Sequence, residues 1–250
     1  MYKKHKAFDT PEDENAKIWR YIDFTKYVSL LDKSALYFPR VDELGDPFEG
    51  SYSKVNVDQR LTLFYESENL TDKPLPPEVL SNFHKFYKRF ITINCWYLNE
   101  YESAAMWKLH LKSNGGIAIQ STFKCLKDCL KDKEHDIYIG KVNYIDYEKD
   151  LLPEDNKFYR FLHKRKAFEH ERELRAIIDD FPSNVEEYDP SDPLWSEGLY
   201  VPVDLDILIE NIYLAPTSPK WLFDLVESVT EKYGLNKDVL QSSLDDKPVY

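Results

Sequence analysis

Short runs rich in β-branched and aromatic residues recur along this chain without a regular rhythm: 16–22 (AKIWRYI), 91–98 (ITINCWYL), 116–122 (GIAIQST) and 173–179 (ELRAIID). Between them lie stretches of helical periodicity of unequal length. A strict strand–helix alternation would predict a doubly wound parallel sheet. This succession predicts a single α+β domain, its central sheet mixed or antiparallel and flanked by helices. With 250 residues the chain can bury one large core, and neither a repeat nor a long linker divides it. Residues 1–16 are polar and charged, lack apolar periodicity, and are expected to form a flexible arm ahead of a domain spanning 17–250.

Local signals place the individual elements. Asp23 is positioned to cap a helix over 23–34, where Phe24, Tyr27, Val28, Leu30 and Leu31 form one stripe. A strand is expected over 35–44, ending in the loop GDPFEG, where Pro47 and Gly50 enforce a turn. Prolines open a helix over 75–90. A helix over 102–116 should end at Asn114-Gly115-Gly116. Residues 136–147 read as a strand with a bulge near Gly140, 154–168 as a helix, 182–198 as an acidic surface loop, 199–216 as two short strands, and 218–235 as a closing amphipathic helix.

Composition narrows the function classes. The net charge of −12 argues against a broad nucleic-acid footprint. No apolar run approaches the roughly 20 residues of a membrane-spanning helix, and the first residues resemble no signal peptide, so a cytoplasmic location is expected. Three cysteines, Cys95, Cys125 and Cys129, fit a reducing compartment better than a disulfide scaffold. Cys125 and Cys129 share a helix face, but no matching Cys/His pair accompanies them, and no metal site is expected. Phosphate-binding glycine loops, nucleophile elbows and H-E-x-x-H are absent.

The most informative stretch is 164–178, KRKAFEHERELRAII. If 171–177 is extended, its side chains alternate. Arg172, Leu174, Ala176 and Ile178 then point one way and become steadily apolar. Glu171, Glu173 and Arg175 point the other way, with the two carboxylates about 7 Å apart. An arginine half-buried beside Ile177 needs a partner, and Glu173 is the obvious candidate. The loop holding Asp46 and Glu49 is either a plain turn or a carboxylate-bearing edge of a site. Trp107, at helical spacing from Leu111, reads as core or as a substrate platform.

In order, the segments 19–50, 95–119, 142–147, 164–178 and 200–216 resemble a large prokaryotic family filed as domain of unknown function 2971. The resemblance spans roughly residues 18–243 and rests on the Asp46-Pro47-Phe48-Glu49 loop, the Met106-Trp107 helix with its following strand, and the Lys164…Glu169-x-Glu171 segment. A second similarity, of motif order, is to enzymes of the ADP-ribosyltransferase fold. Those carry an Arg or His on an early strand, a Ser/Thr-bearing middle strand and a late Glu, often as E-x-E. Arg20, Ser121 with Thr122, and Glu171 with Glu173 follow that order. The similarity implies an ADP-ribosyltransferase-like fold with NAD as substrate. Glu171 and Glu173 would be catalytic, and Arg20, Tyr21, Ser121, Thr122 and Arg175 would bind the dinucleotide. It further implies a cytoplasmic transferase, a toxin or defence effector, acting on a protein or nucleic-acid acceptor that the sequence leaves open. The alternative is a non-catalytic nucleotide- or protein-binding module, in which Arg20 and the glutamates do not converge. A nuclease built on Asp46, Glu49 and Glu171 is the third option.

Overall fold

The computed structural model describes residues 1–67, 74–110, 115–182 and 198–248. Strand β1 (Lys17–Asp23) runs directly into helix α1 (Phe24–Lys33). Asp23 makes that switch, because its carboxylate accepts the Lys26 N–H at 2.8 Å and so satisfies one of the helix's open donors. The helix buries Tyr27, Leu30 and Leu31 and closes on Ser34 in the left-handed region, at φ 45°. There follow β2 (Ala35–Phe38), α2 (Lys54–Glu66), α3 (Pro77–Tyr87), β3 (Ile91–Leu98), α4 (Ala104–His110), β4 (Gly116–Thr122) and α5 (Phe123–Asp128). The chain continues through β5 (Ile137–Lys141), β6 (Asn143–Ile145), β7 (His163–Arg165), β8 (Glu173–Asp179), β9 (Leu199–Pro202), α6 (Leu205–Leu208), β10 (Asn211–Leu214), α7 (Lys220–Lys232) and β11 (Asp238–Gln241).

Among the described residues seven strands form the main sheet, in the order β11-β10-β4-β1-β3-β8-β5. Its pairs are antiparallel except β10 with β11. The expected single α+β domain with a mixed sheet flanked by helices is what the structure shows. One face carries Ile18, Ile22, Trp96, Ile117, Ile119, Leu174, Ala176 and Ile178, packed against α1 and α7. The opposite face holds a smaller aromatic cluster around Trp19, Tyr21, Tyr97 and Trp107.

One irregularity in this sheet positions the site. β1 pairs with β4 over seven residues, and β3 with β8 over seven, but β1 meets β3 only at Ile18↔Leu98 and Trp19↔Tyr97. Further along, the edge of β3 is taken by the chain leaving β2: Ile93 N–H donates to Pro39 O at 2.9 Å, and Arg40 bridges Thr92. Asn94 likewise donates from its side chain to Tyr37 O at 2.9 Å. With its partner replaced, β1 diverges from β3 beyond Trp19, and the sheet splits.

Several local expectations are corrected. The first residues do not fray: Lys3 N–H bonds Ile137 O, Lys141 N–H bonds Asp9 O, and Ala7 and Phe8 are buried. Polar patterning hid this because the arm contributes backbone bonds to the open edge of β5 and only a few apolar contacts. Gly140 forms no bulge; it pairs in register with Arg175. A Cβ there would lie 3.0 Å from Phe8, so glycine lets the arm approach. Residues 154–168 form no α-helix but 3₁₀ turns (Tyr159–Phe161, Lys166–Glu171) flanking β7. The strand expected over 35–44 ends at Phe38, before Pro39. Asn114 of the expected helix cap, and residues 183–197 of the expected acidic loop, lie outside the described residues. No helix among the described residues is long and apolar enough to cross a membrane.

Candidate active site

The split between β1 and β3 opens into a cavity of about 720 Å³, within the roughly 300–1,000 Å³ range of small-molecule sites. Arg20, Tyr21, Asp46, Glu49, Glu171, Glu173 and Arg175, nominated from the sequence in three separate segments, all line it.

The β8 wall follows from strand alternation. Register sets Glu173 opposite Tyr97 and Arg175 opposite Cys95, on the face away from the main core, while Leu174, Ala176 and Ile178 enter that core. Arg175 is only 1% exposed, so its charge must be matched. Its Nε donates to Glu173 Oε2 at 2.5 Å, its two terminal nitrogens donate to Glu49 at 2.8 and 2.7 Å, and Nη1 also donates to Phe161 O at 2.8 Å. Burial opposes the charge, but Glu173 and Glu49 outweigh it and raise the guanidinium pKa. Glu49 reaches this position because Gly50 turns the loop at φ 65°, where an added Cβ would lie 2.5 Å from Phe161. The loop is therefore more than a turn. Asp46 accepts from Arg165 at 2.7 Å, and Arg165 lies over the Phe48 ring at 4.3 Å.

Lys164 is the hub that the alternation argument overlooked. Its Nζ donates to Glu171, to Glu173 at 2.6 Å, and lies 3.4 Å from Glu49. Glu171 is not on the strand. It ends a 3₁₀ turn, and Arg172 in the left-handed region (φ 38°) swings the chain so that Glu171 and Glu173 meet on one lysine. Three carboxylates here face two cations. That imbalance shows in the protonation states. Burial and a hydrogen bond shared with Glu173 raise Glu171 to about 7, against the pull of Lys164. Burial also disfavours ionised Glu173, but Arg175, the bond from Glu171 and Lys164 hold it well below the usual carboxylate range. The pair is one ionised carboxylate beside one that exchanges its proton near neutrality.

Arg20 comes from the other side of the split. Its Nη1 donates to Cys95 O at 2.7 Å, and its guanidinium lies 6.0 Å from the Trp96 ring. Among the described residues it makes no ion pair. A cavity-lining arginine that is bound only to a backbone carbonyl retains donors for an anionic ligand. Lys26 of α1 lines the same side. His110 stacks near-parallel on Tyr21, and partial desolvation, then the Arg20 and Lys26 charges, lower its pKa while Glu173 opposes them. Charges from both walls thus meet at one imidazole.

The remaining nominated residues do other work. Ser121 is fully buried, with Oγ donating to Leu208 O, and Thr122 caps α5 by accepting Cys125 N–H at 3.1 Å. Neither lines the cavity. Trp107 packs edge-on against Tyr21 at 4.9 Å and donates to Glu102 at 2.8 Å, so it supports the wall from behind. Tyr21 is fixed by accepting the Ser103 N–H at 2.8 Å. Cys95 lines the cavity, but burial, with Glu173 adding, pushes its thiol pKa up and leaves it a poor nucleophile. Sequence reasoning missed Lys164, Lys26, His110 and the pair Tyr37 and Tyr200. Lys164 opens the charged stretch itself, and His110 stands one helical turn after Met106, another lining residue; both were legible signals. No protein-family model matches the chain, and no curated protein matches it.

Proposed function

We propose that the cavity binds NAD and that the chain is an ADP-ribosyltransferase-like enzyme. The carrying observation is that Arg20, which makes no ion pair among the described residues, lines the same cavity as the Glu171–Glu173–Lys164 cluster. Breaking the nicotinamide–ribose bond sends the bonding pair to the nicotinamide nitrogen and leaves positive charge on the ribose carbon. Ionised Glu173, held rigid by Lys164 and Arg175, supplies a fixed negative field at that point. Lys164 and Arg175 engage its two oxygens and Glu171 shares a third bond, which leaves one lone pair for a ribose hydroxyl. The acceptor oxygen then closes the bond to carbon, and its proton passes to the ionised fraction of Glu171, whose pKa of about 7 suits that exchange. Arg20 holds phosphate oxygens through its forked donors. Ser121 and Thr122 take no part, so the assignment rests on the arginine and the glutamates.

The resemblance to domain of unknown function 2971 belongs to the same proposal. Its Asp46–Glu49 loop and its Lys164–Glu171 segment, over a hundred residues apart in sequence, are joined here through Arg165, Lys164 and Arg175. The second reading is a nucleotide-binding module without chemistry, favoured by the cation held on each oxygen of Glu173. The test incubates purified protein with NAD and measures released nicotinamide. Release that is abolished in Arg20→Met, with thermal stability unchanged, supports the enzyme. NAD binding without release under any acceptor supports the module, and absence of both binding and release refutes the two together.

A further inference from the structure

Strand β3 acts as a ruler across the cavity. At Asn94 its side chain bonds the backbone of Tyr37, at Cys95 its carbonyl receives Arg20, and at Tyr97 it pairs with Glu173. The backbone of Tyr37, the Arg20 guanidinium and the register partner Glu173 thus reach β3 at Asn94, Cys95 and Tyr97 in turn, and all three residues line the cavity. At the aromatic end Tyr37 does not stand alone. Tyr200, its register partner on β9, lies with ring centroids 5.0 Å away, and both rings line the cavity while remaining 36% and 46% exposed.

Two exposed rings at a cavity mouth ordinarily lose little by rotating into solvent. These are held. Gly198 N–H donates to the Tyr37 hydroxyl at 3.1 Å, and a Cβ at Gly198 would lie 2.8 Å from the same ring tip, so glycine there admits the tyrosine. Tyr200 is fixed by the Lys33 ammonium 4.8 Å over its ring and by Ser29 Oγ at 3.4 Å from its hydroxyl. Lys26, also on α1, lines the cavity beside them. Held aromatic faces accept any flat heterocycle, because every base presents a π face.

We propose that Tyr37 and Tyr200 form the base-stacking platform of a nucleoside diphosphate subsite, with Arg20 and Lys26 receiving the diphosphate. This deepens the NAD assignment and rests on it for the sugar at Glu173. In that orientation the adenosine half of the dinucleotide occupies the rim and the nicotinamide ribose the carboxylate end.

The test measures binding of ADP and of nicotinamide mononucleotide, separately, to the full chain by calorimetry. Tyr37→Ser and Tyr200→Ser should each weaken ADP about tenfold and leave nicotinamide mononucleotide unchanged, and Tyr200→Phe should retain ADP binding. Equal weakening of both ligands, no effect on ADP, or no ADP binding to the wild-type chain would overturn the platform. ADP binding that depends on the tyrosines, without any nicotinamide release from NAD, would uphold the platform while removing the enzyme. Release from NAD with a KM indifferent to both serine variants would do the reverse.

Discussion

Replacing Glu49 by alanine should cost about 3–5 kcal/mol of stability, the range for breaking a buried pair by deleting one partner. Glu49 is 3% exposed and accepts from both terminal nitrogens of Arg175, itself 1% exposed. The substitution removes two charge-assisted bonds, each contributing about 1.5–3 kcal/mol; Nη1 keeps Phe161 O, Nε keeps Glu173, and Nη2 is left facing a void. A domain of this kind has about 5–15 kcal/mol in total, so a large fraction disappears. In a thermal scan the midpoint should fall by about 6–20 °C, taking about 2–4 °C per kcal/mol for a chain of this length. Urea titration followed by tryptophan fluorescence gives the free energy directly. Asp46→Asn is the control, because Arg165 is partly exposed and an asparagine oxygen can still accept the Phe48 N–H, so the loss should be smaller than for Glu49→Ala. The double variant Glu49→Leu/Arg175→Met removes both charges, while also taking Arg175 from Glu173, and should recover part of the loss. A loss below about 1 kcal/mol for Glu49→Ala, or a double variant no better than the single, would refute the claim that this pair is held by mutual burial.

Two other outcomes follow from the same cluster. Glu171 has a folded pKa of about 7, above its ordinary 4.5, so the folded state binds the extra proton between those values and Glu171's contribution to stability falls as pH rises through that window. Glu171→Gln should flatten this decline, which chemical denaturation at a series of pH values from 4.5 to 8 would show; an unchanged slope counts against the assignment. Gly50→Ala places a methyl 2.5 Å from Phe161 at a positive φ, and should cost about 1–3 kcal/mol, measured by urea unfolding; a neutral result would mean that the loop can relax without losing Glu49.

What the sequence by itself determined was local. Alternation in 173–178 sent Leu174, Ala176 and Ile178 into the core and required a partner for Arg175. Asp23 marked the helix start, and the uneven succession of strand and helix patterns identified the fold class. These hold because side-chain periodicity and capping act over a few residues, within reach of the backbone that generates them. Tertiary structure decided the rest. Pairing between Glu49 and Arg175 spans 126 residues and has no sequence period. The docking of the first residues on β5 depends on an open sheet edge that no local pattern announces. Ser121 and Thr122 fit a motif order yet are consumed by a backbone carbonyl and a helix cap. Above all, the cavity exists because Pro39 and Arg40 take the edge of β3 and force β1 away, a competition between two distant segments for the same backbone donors and acceptors.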